Sequence, residues 1–483
     1  MNFQFLGFLT VIVGVASLAA PVGWAFSILI VSTVFGSAAA FNLPGLGGAS
    51  VLVPSLFLLF FALRVFLAFG EQQIFAGLAF PRPGFVLLVL TIFGLVSAIF
   101  FPRLFEGVTQ TMIVERSIGT RSLIFLQPLH FSSNNITQTV YAIGGLVCFA
   151  FTFAFLRRTA APEAFISAIL IVSISNLTFA ALDIITYFSH TEYLLDFLHT
   201  ANYALLTDAE KGGLKRISGT FPEASAFADF TLILFGITAS LWLDRIRSRL
   251  TGIVASLSLL ALIFSTSATA LLGLAAILPL LVIRSLAKSR QEPGGGRPVF
   301  IVALIVAIPM IVLFIPIFMP EIATNLTEFF DEMVLSKADS DSGRERFMWN
   351  AMAYQTFLDT SGLGAGLGSA RASSFALVLL SNLGVEGALI FAVFVAVTLV
   401  ANTKTRLWVS TEASAVARAS KVGFLAALAT AFTSGTVYDL GLMFYILAGT
   451  IAALTSPLPV QAEAVSTERR RYSQQLAMLG GWR

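Results

Sequence analysis

The feature that most limits what this chain can fold into is a series of long apolar runs. They fall near 3–20, 24–40, 51–69, 85–103, 139–156, 163–182, 225–243, 250–266, 267–283, 299–319, 373–401, 421–435 and 437–454. A helix crosses a bilayer with about 17–25 residues. Backbone amides cannot stay unpaired in lipid, and these runs far exceed a barrel strand, so helices are the spanning form they suit. About 13 spans are expected, within a range of about 12–14. The weakest division is between 250–266 and 267–283, where only STSAT (265–269) intervenes. Composition agrees: 57% of the residues are hydrophobic and 11% charged, where a soluble domain carries about 25% charged. No hydrophilic block is long enough to fold alone. The chain therefore reads as one all-α integral-membrane domain over 1–483, a polytopic helical bundle.

The net charge of +3 does not point to a nucleic acid, because the cations sit in short loops between apolar runs. RR (157–158), DRIRSR (244–249), RSLAKSRQEPGGGR (284–297), NTKTRLWVSTEASAVARASK (402–421) and STERRR (466–471) are such loops. The positive-inside rule puts them in the cytoplasm. The C-terminus and the tail 455–483 are then inside, and 104–138, 183–224 and 320–372 face outward. Thirteen spans put the N-terminus outside. The first twenty residues lack a basic n-region and read as a retained first span. Cys148 is the one cysteine, so no intramolecular disulfide forms, and its place in an apolar run points to packing.

The outward loops are patterned. In FSHTEYLLDFLHTANYALL (188–206), Leu194, Phe197, Leu198, Ala201 and Leu205 recur at helical spacing. In RFMWNAMAYQTFL (346–358), Phe347, Ala351, Tyr354 and Leu358 do the same. Such helices either lie in the membrane interface, apolar face down, or pack that face against the bundle.

The chemistry gathers on that outer side. RISGTFPEASAF (216–227) puts Arg216 and Glu223 at the edge of a span, with Lys211 and Lys215 close by. A guanidinium is a permanent cation with a five-donor fork that suits phosphate oxygens. Gly219 and Pro222 force a turn, and Glu223 begins the next helix, where the dipole favours a carboxylate. The alternative is an orientation anchor and a helix cap. SGRERFMWN (342–350) brings Arg344 and Arg346, and SGLGAGLGSARASS (361–374) brings Arg371 behind four alternating glycines. No strand precedes those glycines, so a dinucleotide fingerprint does not fit. They permit either a turn with exposed N–H groups that cradles an oxyanion or a loop that closes onto the helix. His130, His190 and His199 are too scattered for a zinc site. Among the spans, Asp229 and Glu386 lie inside helices and Asp439 near an outward turn. Transporters carry ionisable groups at mid-membrane; here charge collects at one face instead.

Three stretches resemble the bacterial O-antigen polymerase and ligase superfamily, in its exopolysaccharide repeat-unit polymerase branch. They are RISGTFPEASAFADF (216–230), LIFSTSATALLGLA (262–275) and RFMWNAMAYQTFLDTSGLGAGLGSARASSFALVLLSNLGVEGALIF (346–391), which ends in a G-x-x-G from Gly384 to Gly387. The resemblance implies a membrane glycosyltransferase with a GT-C-like fold. Its loops 183–224 and 320–372 would be periplasmic, in a bacterial inner membrane. Its substrate would be an oligosaccharide repeat unit on undecaprenyl diphosphate, with a flippase and a chain-length regulator working nearby. Ligases of the superfamily carry a His-Asn pair ahead of the G-x-x-G. Ser373 and Ser374 stand there in this chain, which favours a polymerase over an O-antigen-ligase-like transferase. A transporter or flippase of an anionic glycolipid is the alternative from another class. The resemblance maps substrate-binding arginines onto Arg216, Arg346 and Arg371, with Arg344 as a further candidate and Lys215 adding positive field. Glu223 is the expected general base and Arg216 the expected stabiliser of the leaving diphosphate. No metal or other cofactor is expected where guanidinium groups carry that charge.

Overall fold

The computed structural model describes residues 2–43, 49–115, 123–157, 161–202, 206–207, 210–211, 214–291, 341–401 and 410–456. The expected span 299–319, the 320–372 loop up to residue 340, the 402–409 part of the basic loop and the tail beyond Ser456 lie outside the described residues.

Every other expected run overlaps a helix. In chain order these are α1 (Phe5–Ala19), α2 (Val22–Ser32), α3 (Val53–Leu78), α4 (Pro83–Leu104), α5 (Ser133–Leu156), α6 (Ala161–Phe188), α7 (Ala224–Leu243), α8 (Ser248–Phe264) and α9 (Ala268–Gln291). After the undescribed stretch come α10 (Asp341–Asp359), α11 (Phe375–Val400), α12 (Thr411–Ser434) and α13 (Gly441–Thr455). Among the described residues, eight helices are long and apolar enough to cross a membrane, and α1, α2, α8 and α13 are shorter apolar helices. This is a multi-pass, predominantly helical membrane protein.

The helices share two ends. At one end, β1 (Asn2–Phe3), β2 (Ala39–Leu43) and β3 (Ala49–Leu52) form an antiparallel sheet. The Ala39 amide donates to Thr200 Oγ1 at 3.0 Å and the Ser37 amide to the Thr220 carbonyl at 3.0 Å. The hairpin of β4 (Gln110–Glu115) and β5 (Leu123–Pro128) belongs to the connection between α4 and α5. This loop end holds the start of the chain and the 189–223 connection. At the other, basic end, α7, α9 and α12 meet around Asp244, and Arg247 reaches Glu163 at 3.3 Å. The first described helix starts at the loop end, and the last described helix ends on the basic side.

The sequence reading is corrected in two places. The run 24–40 is helical only to Ser32; beyond it the backbone joins the sheet, which pairs its amides with β1 and β3 instead of along a helix axis. Residues 192–198 form a 3₁₀ helix rather than an amphipathic α-helix. In a 3₁₀ helix residues three apart eclipse one another, so Leu195, Leu198 and Ala201 form the buried row while Leu194 and Phe197 are exposed. Leu205 lies outside the described residues.

In α10 the expected stripe is there and faces outward. Phe347, Ala351, Tyr354 and Leu358 are exposed, while Trp349, Ala353 and Thr356 are buried. Among the described residues, this stripe does not pack on the bundle.

The centre of the bundle is α7, buried on nearly all sides and packed most closely on α12. Small residues let the helices approach, which drives association where lipid removes the hydrophobic term. A Cβ on Gly423 would stand 2.6 Å from the Ile237 side chain, and one on Gly273 2.3 Å from Leu232.

Candidate functional site

The stretch RISGTFPE is held at the loop end by a residue that sequence reasoning passed over. Asp183, in the last turns of α6, is buried. Its Oδ2 accepts the amides of Ser218 at 2.8 Å and Gly219 at 2.9 Å, and the Ser218 hydroxyl at 3.2 Å. Its Oδ1 pairs with Lys215 Nζ at 3.3 Å. Gly219 sits at φ +58, a left-handed conformation that glycine adopts without strain. Its carbonyl accepts His199 Nε2–H at 3.1 Å. Thr220 completes the tie: its carbonyl accepts the Ser37 hydroxyl at 2.7 Å, and its own hydroxyl donates to the Val34 carbonyl. Lys215 is part of this lock, buried against Asp183, the Thr207 carbonyl and the Tyr187 ring. Its ammonium is turned into the fold.

The neighbouring cation is held differently. Arg216 is half-buried and makes no hydrogen bond or ion pair with the described residues, and its Nε is shielded from solvent. Burial lowers its pKa from the ordinary guanidinium value. Glu223 opposes that shift and Arg346 adds to it. Arg216, Glu223 and Arg346 therefore share one electrostatic field, although Arg346 is distant in sequence and stands on α10. Glu223 is the N-cap residue of α7, with extended backbone, and its Oε1 accepts the Ser225 hydroxyl. Arg371 joins from the glycine-rich loop: its guanidinium lies 5.2 Å from the ring centroid of Trp349, three residues beyond Arg346 on α10. Arg344 is exposed in the first turn of α10. The structure thus gathers Arg216, Arg346, Arg371 and Glu223 around α10 and the 215–223 loop.

The alternating glycines do something other than cradle an anion. Gly362, Gly364, Gly366 and Gly368 all have positive φ, from +82 to +96. They lay the loop against a break in α11 at Gly384, itself at φ +66. There the Ala365 amide donates to Ser381 O at 2.8 Å, Gly366 to Asn382 O at 2.9 Å, and Val385 to Gly362 O at 3.0 Å. Gly364 donates to Thr360 Oγ1, and Gly368 and Ala370 to Asn382 Oδ1. The Ala365 and Gly366 amides satisfy the Ser381 and Asn382 carbonyls, which the helix break leaves without an intrahelical partner, as a membrane helix requires. They are engaged within the protein, so the oxyanion-cradle alternative gives way to a loop closed onto the helix. Asn135 clamps the same loop from α5, donating to the Leu367 carbonyl and Ser369 Oγ at 2.8 Å each.

The other polar residues singled out above are dispersed. Asp229 accepts the Thr430 hydroxyl between α7 and α12, Asp439 accepts the Gly441 amide at 3.0 Å, and Glu386 is exposed on α11. His130 contacts the Pro128 carbonyl, and Cys148 is buried.

Compared with known proteins, the chain matches no family model, no curated protein and no solved structure.

Proposed function

We propose that the chain is a membrane glycosyltransferase that joins lipid-linked oligosaccharide repeat units, a polysaccharide polymerase acting on undecaprenyl-diphosphate-linked glycan. The observation that carries this reading is the convergence of Arg216, Arg346 and Glu223 at the loop end, where neither arginine makes an ion pair with the described residues. Partly buried cations left this way suit a polyanion, and a diphosphate on a lipid is one that reaches this depth. The positive-inside rule, applied to the basic end, supports a cytoplasmic position for that end and an outward position for the arginines, which in the polymerase reading is the periplasmic face of a bacterial inner membrane.

In the reaction, an acceptor sugar hydroxyl attacks the anomeric carbon of the donor glycan. The new glycosidic C–O bond forms as the anomeric C–O bond to the diphosphate breaks. The leaving undecaprenyl diphosphate carries away the electron pair, and its growing charge falls on Arg216 and Arg346, with Arg371 and Arg344 as further contacts. Preorganised charge of this kind is usually the largest single contribution to catalysis. The hydroxyl proton passes to Glu223, the carboxylate that shares the Arg216 field. Lys215 supports the loop through Asp183 instead of meeting substrate.

The test is product analysis. Purified protein in detergent is incubated with lipid-linked repeat unit, and the glycan is run on a gel. A ladder of multiples is the expected result, and R216A abolishes it with protein abundance unchanged. Transfer of one unit to a different added acceptor would replace polymerase by ligase. A native substrate left unchanged would move the assignment to transport.

A further inference from the structure

Beside the arginines lies a small open cleft lined by Asn134, Gln138, Gly368, Ala370, Arg371, Asn382, Val437 and Tyr438. Its backbone and Asn382 are engaged within the fold, as described above. The side chains of Gln138, Asn134 and Tyr438 are placed otherwise. Gln138 Oε1 is shielded from solvent and has no hydrogen-bond partner. The side chains of Asn134 and Gln138 make no hydrogen bond with the described residues, and neither does the Tyr438 hydroxyl. Tyr438 is buried, its ring packed against Phe375 with centroids 6.4 Å apart. Its position is therefore fixed while its hydroxyl is unused.

The chemistry of these groups selects the ligand. Phosphate oxygens only accept hydrogen bonds, and an amide carbonyl facing them gains nothing. A sugar hydroxyl both donates and accepts, which matches two amides and a phenol. A buried carbonyl oxygen without a donor carries a desolvation cost that a hydroxyl ligand removes. The cleft opens to solvent and has room to hold the edge of a ring rather than engulf one. Arg371 lines the cleft and lies over Trp349 on α10, the helix that also carries Arg346.

We propose that this cleft is a saccharide subsite, in which Gln138, Asn134 and Tyr438 hydrogen-bond the hydroxyls of a substrate sugar while the diphosphate is held separately by Arg216 and Arg346. The assignment rests on the polymerase reading for the identity of the glycan, but not for the sugar-binding chemistry.

The experiment measures affinity rather than turnover. Full-length protein in detergent is titrated with two probes: farnesyl diphosphate, and the oligosaccharide released by mild acid from lipid-linked glycan of the producing cells. Wild type binds both. Q138L and Y438F each weaken the oligosaccharide about tenfold, the loss of one hydrogen bond, and leave farnesyl diphosphate unchanged. R216A does the reverse. Y438F keeps the ring on Phe375, so its result stands if Q138L alters the melting temperature. Three outcomes overturn the subsite: no oligosaccharide binding by wild type, unchanged oligosaccharide affinity in both variants, or parallel loss of farnesyl diphosphate. A missing product ladder with intact oligosaccharide binding would instead remove the polymerase reading and keep the sugar site.

Discussion

At the basic end of the bundle, Asp244 is buried at the end of α7 and receives three cations: Arg284 and Lys288 from α9 and Arg418 from α12. Nearby, Arg247 pairs with Glu163, and Lys421 caps the Leu399 and Ala401 carbonyls at the end of α11. At the loop end Lys215 is treated in the same way by Asp183, yet the next residue, Arg216, and its counterpart Arg346 have no such ion pair among the described residues. Cations with fixed protein partners close the bundle and hold helices in register. A half-buried cation without one carries a desolvation cost that a bound anion would remove. The same residue type thus serves shape at one end and is available to a ligand at the other, and the boundary runs between two adjacent residues.

The largest effect expected on this contrast comes from removing the scaffold under the loop end. A Cβ at Gly384 would stand 2.4 Å from the carbonyl oxygens of Gly362 and Leu363, in a left-handed backbone besides. G384A should abolish folded, detergent-stable protein, read as loss of the monodisperse peak in size-exclusion chromatography. Wild-type elution would mean that the glycine loop is not locked to α11.

Next come the two kinds of cation. Removing one electrostatic stabiliser of a transition state typically lowers kcat by about 10²–10³. R216A should lose activity by at least that much with a nearly unchanged melting temperature, because Arg216 makes no hydrogen bond or ion pair with the described residues and its removal also relieves the repulsion from Arg346. D244A should do the opposite. Breaking a buried ion pair costs about 3–5 kcal/mol. The value here belongs near the lower end, because Arg418 is 46% and Lys288 31% exposed and both can turn to solvent. The folded fraction of D244A should keep its specific activity. If R216A melts well below wild type, or folded D244A is inactive, the division between the two ends fails.

Much of the bundle was legible because apolar runs of span length leave a chain few alternatives. What stayed hidden depends on contacts between distant residues. Asp183 falls at the end of an apolar run, and its partners lie on another loop, so nothing local marks it as the anchor of RISGTFPE. The glycines at 362–368 were ambiguous for the same reason. Whether their amides face a ligand or a helix depends on the break at Gly384, and a single glycine within a helical pattern does not announce a break. Arg216, Arg346 and Arg371 were selected as a set through the family resemblance. Only the fold shows that Arg216 and Arg346 share a field while Lys215, beside Arg216, is turned away. The cleft at Gln138 had no sequence signal, since an amide in the second turn of a helix is ordinary.

The smallest effect concerns His199, whose Nε2–H holds the Gly219 carbonyl and with it the loop that presents Arg216. Burial lowers its pKa below the ordinary value of 6.5, against the Gly219 hydrogen bond and the Asp183 carboxylate, which raise it. A group whose pKa is lower folded than unfolded binds its proton more readily in the unfolded chain. Its contribution to stability is therefore complete above pH 6.5 and is lost as pH falls from there through the folded value. Melting temperature should decline over that window in wild type. Every other titrating group is common to both proteins when the comparison is made with H199Q, whose amide can donate to the same carbonyl without titrating. The difference between the two curves, present just below pH 6.5 and absent above it, belongs to His199. Parallel curves would show that the histidine is not buried against Gly219, and would loosen the lock that separates Lys215 from Arg216.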